Sequence, residues 1–238
     1  MAYLVDPHSD IQSWGFDIGD DLDLSSVLFA VEQTSHTILA YHVYMMCKHT
    51  PIRDLLAVAG ESWYIAEKLG TQTDYTAAQI LAREWAQGCT DPVHGTAPAS
   101  HLWPVERALH HARRIVEIHR NHPRTGLLFQ EWGVYLAAVV FWARAYVIDS
   151  EPCRKPRLSI PSPTEPKLST QELDQAVSAV VNSETATVSL KEARSVIVWV
   201  KADIEKVNPP HSCGLTNSAF DVLSKLSTRG DEEGWFGA

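Results

Sequence analysis

The stretch from Leu127 to Ile148 constrains this chain more than any other, because Trp132 to Ala143 runs for twelve residues without a charged side chain. A helix that is apolar on every side cannot lie on the surface of a soluble domain. It has to be covered by other elements or by lipid. Gln130, Glu131 and Arg144 interrupt the stretch, and the uninterrupted part falls short of the ~20 residues that a bilayer span requires. The chain is therefore expected to pack other helices around a central one, about 33 Å long at about 1.5 Å per residue. With 238 residues, 45% of them hydrophobic, and eight Trp, it has the material for a full core.

The flanking sequence supplies those helices. Residues 1–23 read as irregular and acidic. Ser25 or Ser26 then caps a helix whose apolar positions Val27, Leu28, Val31, Ile38, Leu39, Val43 and Met46 recur at helical spacing. His49-Thr50-Pro51 ends it, since the residue before proline is pushed out of the helical region. Pro51 suits the first turn of a second helix through Ile52, Leu55, Leu56 and Val58, closed by Gly60. Trp63–Leu69 forms a short piece closed by Gly70, and Asp74 is expected to cap a helix to about Gln87, stopped by Gly88. After a loop over 89–100, the helix from about Pro104 to His119 turns Val105, Leu109, Ala112, Ile115, Val116 and His119 inward and its arginines mostly outward.

Five prolines between 151 and 169 exclude a helix or a central strand there and mark a linker or loop. Beyond it, Thr170–Val181, Ser189–Val207 and Leu215–Ser227 read as helices, the middle one opening with a capping box of Ser189 and Glu192. No pattern of period two persists. The expected fold is all-α, with about eight helices in an irregular bundle and a proline-rich loop at 151–169. A main helical region at 24–150 is joined by C-terminal helices at 170–238 that pack on it.

The chemistry visible in the sequence is sparse. A net charge of −9 repels phosphate backbones. Cys47, Cys89, Cys153 and Cys213 lie far apart with no C-x-x-C pair, against a zinc site or a disulfide framework and in favour of reduced thiols. The N-terminus lacks the basic and apolar regions of a signal peptide. The acidic cluster Asp17–Asp23 invites a terpene-synthase reading, but Gly19 breaks it and Asn182-Ser183-Glu184 lacks the spacing of a second magnesium ligand set. A solvated acidic loop is preferred. Six histidines fall between 94 and 122. They show no metal-ligand spacing and are expected at helix ends and on the surface. Cys47 with His42 and His49 is a candidate thiol–imidazole set that lacks an orienting third group. Walker A, G-x-S-x-G and G-x-G-x-x-G patterns are absent from the sequence. No catalytic, metal or cofactor site is therefore expected. Arg154, Lys155 and Arg157, in the proline-rich segment, form a short basic run that reads first as a plain exposed loop and second as a candidate nuclear-import signal.

Several segments carry a likeness to a known family. Pro51-Ile-Arg-Asp-Leu-Leu-Ala-Val-Ala-Gly-Glu-Ser-Trp63, Leu81-Ala-Arg-Glu-Trp85, the helix His110 to His119, and above all Glu131-Trp-Gly-Val-Tyr-Leu-Ala-Ala-Val-Val-Phe-Trp-Ala143 follow one another in order. Ala219-Phe-Asp-Val-Leu-Ser-Lys-Leu226 with Trp235-Phe236 closes the set. As an ordered set they resemble the C-terminal part of the fungal-specific transcription factor domain, the regulatory region of fungal zinc-finger regulators. The resemblance implies a non-catalytic helical module that modulates RNA polymerase II transcription in the nucleus. Its partners would be proteins of the transcription machinery or a second copy of itself. The chain departs from the full regulator in having neither a six-cysteine zinc cluster nor a Cys₂His₂ finger. The alternative class is an all-helical small-molecule binder or enzyme, which should bring several polar groups together in one pocket.

On this reading the chain alone does not select DNA sequences. Specific readers neutralise several phosphates while placing an element in a groove, and here three cations in one loop are the strongest basic run. A polarisation titration with random duplexes at about 150 mM salt is expected to show only weak, salt-sensitive attachment. Selection of a defined sequence bound at about 10⁻⁸ M or tighter would contradict it.

Overall fold

A computed structural model describes residues 35–60, 71–88, 104–122, 128–149, 169–183, 187–207 and 214–228. Within them lie eight helices and no strand: α1 (Ser35–Lys48), α2 (Ile52–Ala59), α3 (Gln72–Gln87), α4 (Pro104–Asn121), α5 (Leu128–Asp149), α6 (Thr170–Asn182), α7 (Leu190–Val207) and α8 (Gly214–Thr228). The fold is all-α, as the periodicity required. The acidic N-terminal segment, the start of the first expected helix, the Trp63–Leu69 piece and residues 151–168 lie outside the described residues.

α5 is the axis of the bundle. From Val134 to Ala143 every residue is buried, and α1, α2, α3, α4, α7 and α8 all pack against it. By length and composition Gln130–Ile148 is long and apolar enough to cross a membrane, a longer reach than the twelve uninterrupted residues indicated; 78% of it is buried inside the protein, as in a core helix. α1 approaches α5 most closely at Gly133, where a Cβ would sit 2.5 Å from Val43 Cγ2. Any larger side chain there would have to displace the Val43 side chain. A single apolar core joins residues from both sides of the 151–169 segment, Val196, Ile197 and Val200 of α7 among them.

Local signals set the helix ends. Gly60 and Gly88 take left-handed conformations, with φ of 85° and 73°, and end α2 and α3. Ser189 and Glu192 form the expected capping box at α7: the Ser189 N–H donates to Glu192 Oε2 at 2.8 Å, and Glu192 N–H to Ser189 Oγ at 3.3 Å. At α3 the expectation needs correction. Thr71 is the N-cap, and Asp74 is the N3 partner that reaches back to it. The carboxylate takes the N3 role because the hydroxyl one turn earlier already bonds the N3 N–H. α6 starts with the same device, Ser169 with Glu172, at the last position of the segment assigned to the linker.

Trp132, which opens the apolar run of the expected core helix, is only half-buried and lies on the edge of the core, tilted against Tyr135 at 4.8 Å between ring centroids. Trp142, Tyr135 and Phe141 are the large side chains that α5 buries fully. Truncating Trp142 to Ala is expected to cost about 3–5 kcal/mol, as for other deeply buried aromatics, and Trp132→Ala clearly less. Denaturant unfolding of the two variants checks the order, and an equal loss at both positions would refute this placement.

Candidate functional site

Among the described residues, several imidazoles converge at the seam between α1 and α4. On α1, Leu39, His42 and Met46 recur every three or four residues and form a buried stripe. On α4, Ala108, His111, Ile115 and Ile118 do the same. Where the stripes meet, His42 Nδ1 lies 2.8 Å from His111 Nδ1, with both residues more than nine-tenths buried. Tyr41 presents an edge to both rings, at 5.2 and 5.9 Å between centroids. His49 lies parallel to His111 at 6.4 Å, and His110 meets it edge-on at 5.2 Å.

Two imidazole nitrogens at hydrogen-bond distance share one proton: one Nδ1–H donates and the other Nδ1 accepts, so the two rings adopt opposite tautomers. Burial disfavours the charged form of both, and nearby cations add to it. His42 is lowered to about 4 by burial, then by Arg114 and His110. His111 is lowered to about 3 by burial, then by His42, His110, His49 and Arg107. Both are neutral at pH 7. The expectation that these histidines sit at helix ends and on the surface fails for His111, which is buried. His119 is buried as its inward placement predicted, and His110 and His122, the latter just past the end of α4, are exposed.

The candidate set of Cys47, His42 and His49 does not form as a unit. His42 is bonded to His111, and Cys47 packs against the apolar core, where burial pushes its thiol up to about 11. At that value the thiolate needed for nucleophilic chemistry is scarce near neutrality. Among the described residues no group of three or more His, Cys, Asp or Glu could hold a metal ion. Asp17–Asp23, Glu184, the import-signal residues Arg154, Lys155 and Arg157, and three of the four cysteines lie outside the described residues.

α4 is tied to its neighbours on other sides as well. His119 Nε2 lies 2.8 Å from Asp203 Oδ2 of α7, both buried, with Trp199 edge-on at 5.7 Å. Arg120 holds Asp174 of α6 through two contacts, at 3.2 and 3.0 Å, and Arg113 Nε donates to the Val180 carbonyl. At the far side, Trp85 Nε1 donates to the His49 carbonyl, and the Arg144 guanidinium donates to the Ala86 carbonyl at the end of α3. The sequence carried a signal for part of this network, since His111 and His119 stand eight residues apart on the apolar side of α4. The partners, 69 and 84 residues away, carried none.

No family model, curated protein or solved structure matches the chain.

The His119–Asp203 contact is the polar link whose loss should be felt most. Asp203→Ala removes the acceptor from a buried imidazole and is expected to cost about 3 kcal/mol. Asp174→Ala, at the surface pair with Arg120, should cost less than about 1 kcal/mol. Thermal or denaturant unfolding of both variants tests the contrast, and a small effect at Asp203 would show that the buried pair adds little.

Proposed function

We propose that this chain is a non-catalytic regulatory module of a fungal transcription factor, acting in the nucleus through protein partners of the polymerase II machinery. The observation that carries the reading is the arrangement of the segments bearing the family likeness. Those segments include α2, the part of α3 around Trp85, the second half of α4, the centre of α5 and most of α8. Four of these helices, α2, α3, α4 and α8, all pack against the fifth, α5. An ordered likeness that falls on one connected set of core helices is what a shared domain architecture would produce. The polar groups inside the bundle also support it: they bind one helix to the next, as struts of a scaffold. The acidic composition suits protein partners better than a nucleic acid.

The test is to fuse the full chain to an unrelated DNA-binding domain and measure a reporter in a fungal cell. The expected result is a several-fold change in reporter output, up or down, relative to the DNA-binding domain alone. A well-expressed fusion confirmed in the nucleus that leaves output unchanged would overturn the reading. In the same cells, replacing Arg154, Lys155 and Arg157 by Ala in the unfused, fluorescently tagged chain is expected to lower its nuclear fraction.

A further inference from the structure

The bond between His42 and His111 differs from an amide or hydroxyl contact in one respect: whether it can form depends on how many protons the two rings carry. We propose that the α1–α4 seam is a proton-operated latch, closed by one proton shared between His42 Nδ1 and His111 Nδ1 and opened when both imidazoles become charged. The proposal rests on the seam's geometry and stands apart from the transcriptional reading.

With both rings neutral the single Nδ1 proton is satisfied on both sides. One added proton goes to an outer Nε2 and leaves the bond in place, but it puts an imidazolium into a buried seam. A second added proton places hydrogens on both facing nitrogens, 2.8 Å apart. No hydrogen bond is then available and two like charges face each other, so the rings have to separate. The surroundings do nothing to soften this. The charged and titratable groups that face the rings are Tyr41 of α1, His49 just beyond it, and Arg107, His110 and Arg114 of α4. Of the nearby acids, Asp174 of α6 is held by Arg120, Asp203 of α7 by His119, Glu172 and Glu192 by their capping serines, and Glu117 of α4 itself by Arg114. α5, which packs against both helices, carries Glu131 in its first turn and Arg144, which donates to the Ala86 carbonyl. α3 carries Asp74 in its capping box and Glu84.

The direction follows from linkage. In the closed seam both pKa values lie well below the ordinary 6.5, and in an opened seam each ring returns towards it. Below pH 6.5 the open form therefore binds more protons, and opening is favoured as the pH falls. The closed seam keeps its full stability above pH 6.5, and the dependence levels off near pH 3–4, where the closed form itself would titrate. Between pH 7.5 and 5.5 each ring raises the opening constant about tenfold, so the pair raises it about 100-fold.

Hydrogen exchange on the full chain, corrected for the intrinsic pH dependence of exchange, reads this directly. The opening constant of the α1 amides facing α4 is expected to rise about 100-fold from pH 7.5 to 5.5, and that of α8 amides much less. In His42→Asn the rise should fall to about tenfold, and in the double variant with His111→Asn most of it should vanish. Nitrogen-15 spectra of the imidazoles in the unaltered protein give a second, fold-independent reading: at pH 7 one of the two rings should be the Nδ1–H tautomer and the other the Nε2–H tautomer. Two Nε2–H rings, a wild-type rise of a few-fold or less, or a rise equal in α1 and α8 would each overturn the latch.

Discussion

The burial of α5 governs everything else in this protein. Ten consecutive residues, Val134 to Ala143, are withdrawn from water, and a helix so surrounded leaves its neighbours little freedom. They have to supply apolar faces at close range and in several directions. At about 25 cal/mol per Å² of buried apolar surface, covering a helix with ten consecutive buried residues is a large favourable contribution. Gly133 shows how tight the covering is: a Cβ at position 133 would meet the Val43 side chain of α1. The same closeness keeps α1 in register against α4, since both helices lie on α5 and on each other.

A core closed in this way sets a condition for each polar group caught in it. A buried imidazole or carboxylate without a partner costs several kcal/mol, and the structure meets that cost by pairing across helices. His111 faces His42, His119 faces Asp203, and Arg144 reaches the last turn of α3. α4 is thereby tied to α1, α6 and α7 by side chains of different chemistry. The His42–His111 contact is the member of this set with no fixed charge in its favour. It is held by a single shared proton within a cationic surrounding, and this makes the α1 side of the bundle the one most exposed to a change in pH.

A regulatory module needs elements that can be held or released without loss of the whole fold. Local opening costs less than global unfolding wherever a helix depends on few contacts beyond one seam. α1 fits that description, since among the described helices it packs mainly on α4 and α5, whereas α7 bridges α5, α6 and α8. The candidate site and the proposed function meet at this point: the seam is a place where a small change in protonation or in partner binding would be transmitted to the exposed surface of α1, including Tyr44.

What the sequence by itself determined is everything governed by neighbours within a turn or two. Pro51 opened α2, Gly60 and Gly88 closed α2 and α3, Ser189 with Glu192 began α7, and the unbroken apolar run announced a covered helix. These depend on backbone sterics and on bonds between residues three or four apart, which are present in any chain with that local order. Even here a choice between adjacent candidates could mislead, as when Asp74 proved to be the N3 partner and Thr71 the cap. The tertiary structure decided which aromatic is central and which polar groups meet. Trp132 and Trp142 look alike in the sequence, yet only the second points into a space closed on all sides, because exposure depends on where the other helices stop. His42 and His111 are separated by 69 residues, and no rule of spacing joins them; they meet because α1 and α4 pack on each other and on α5.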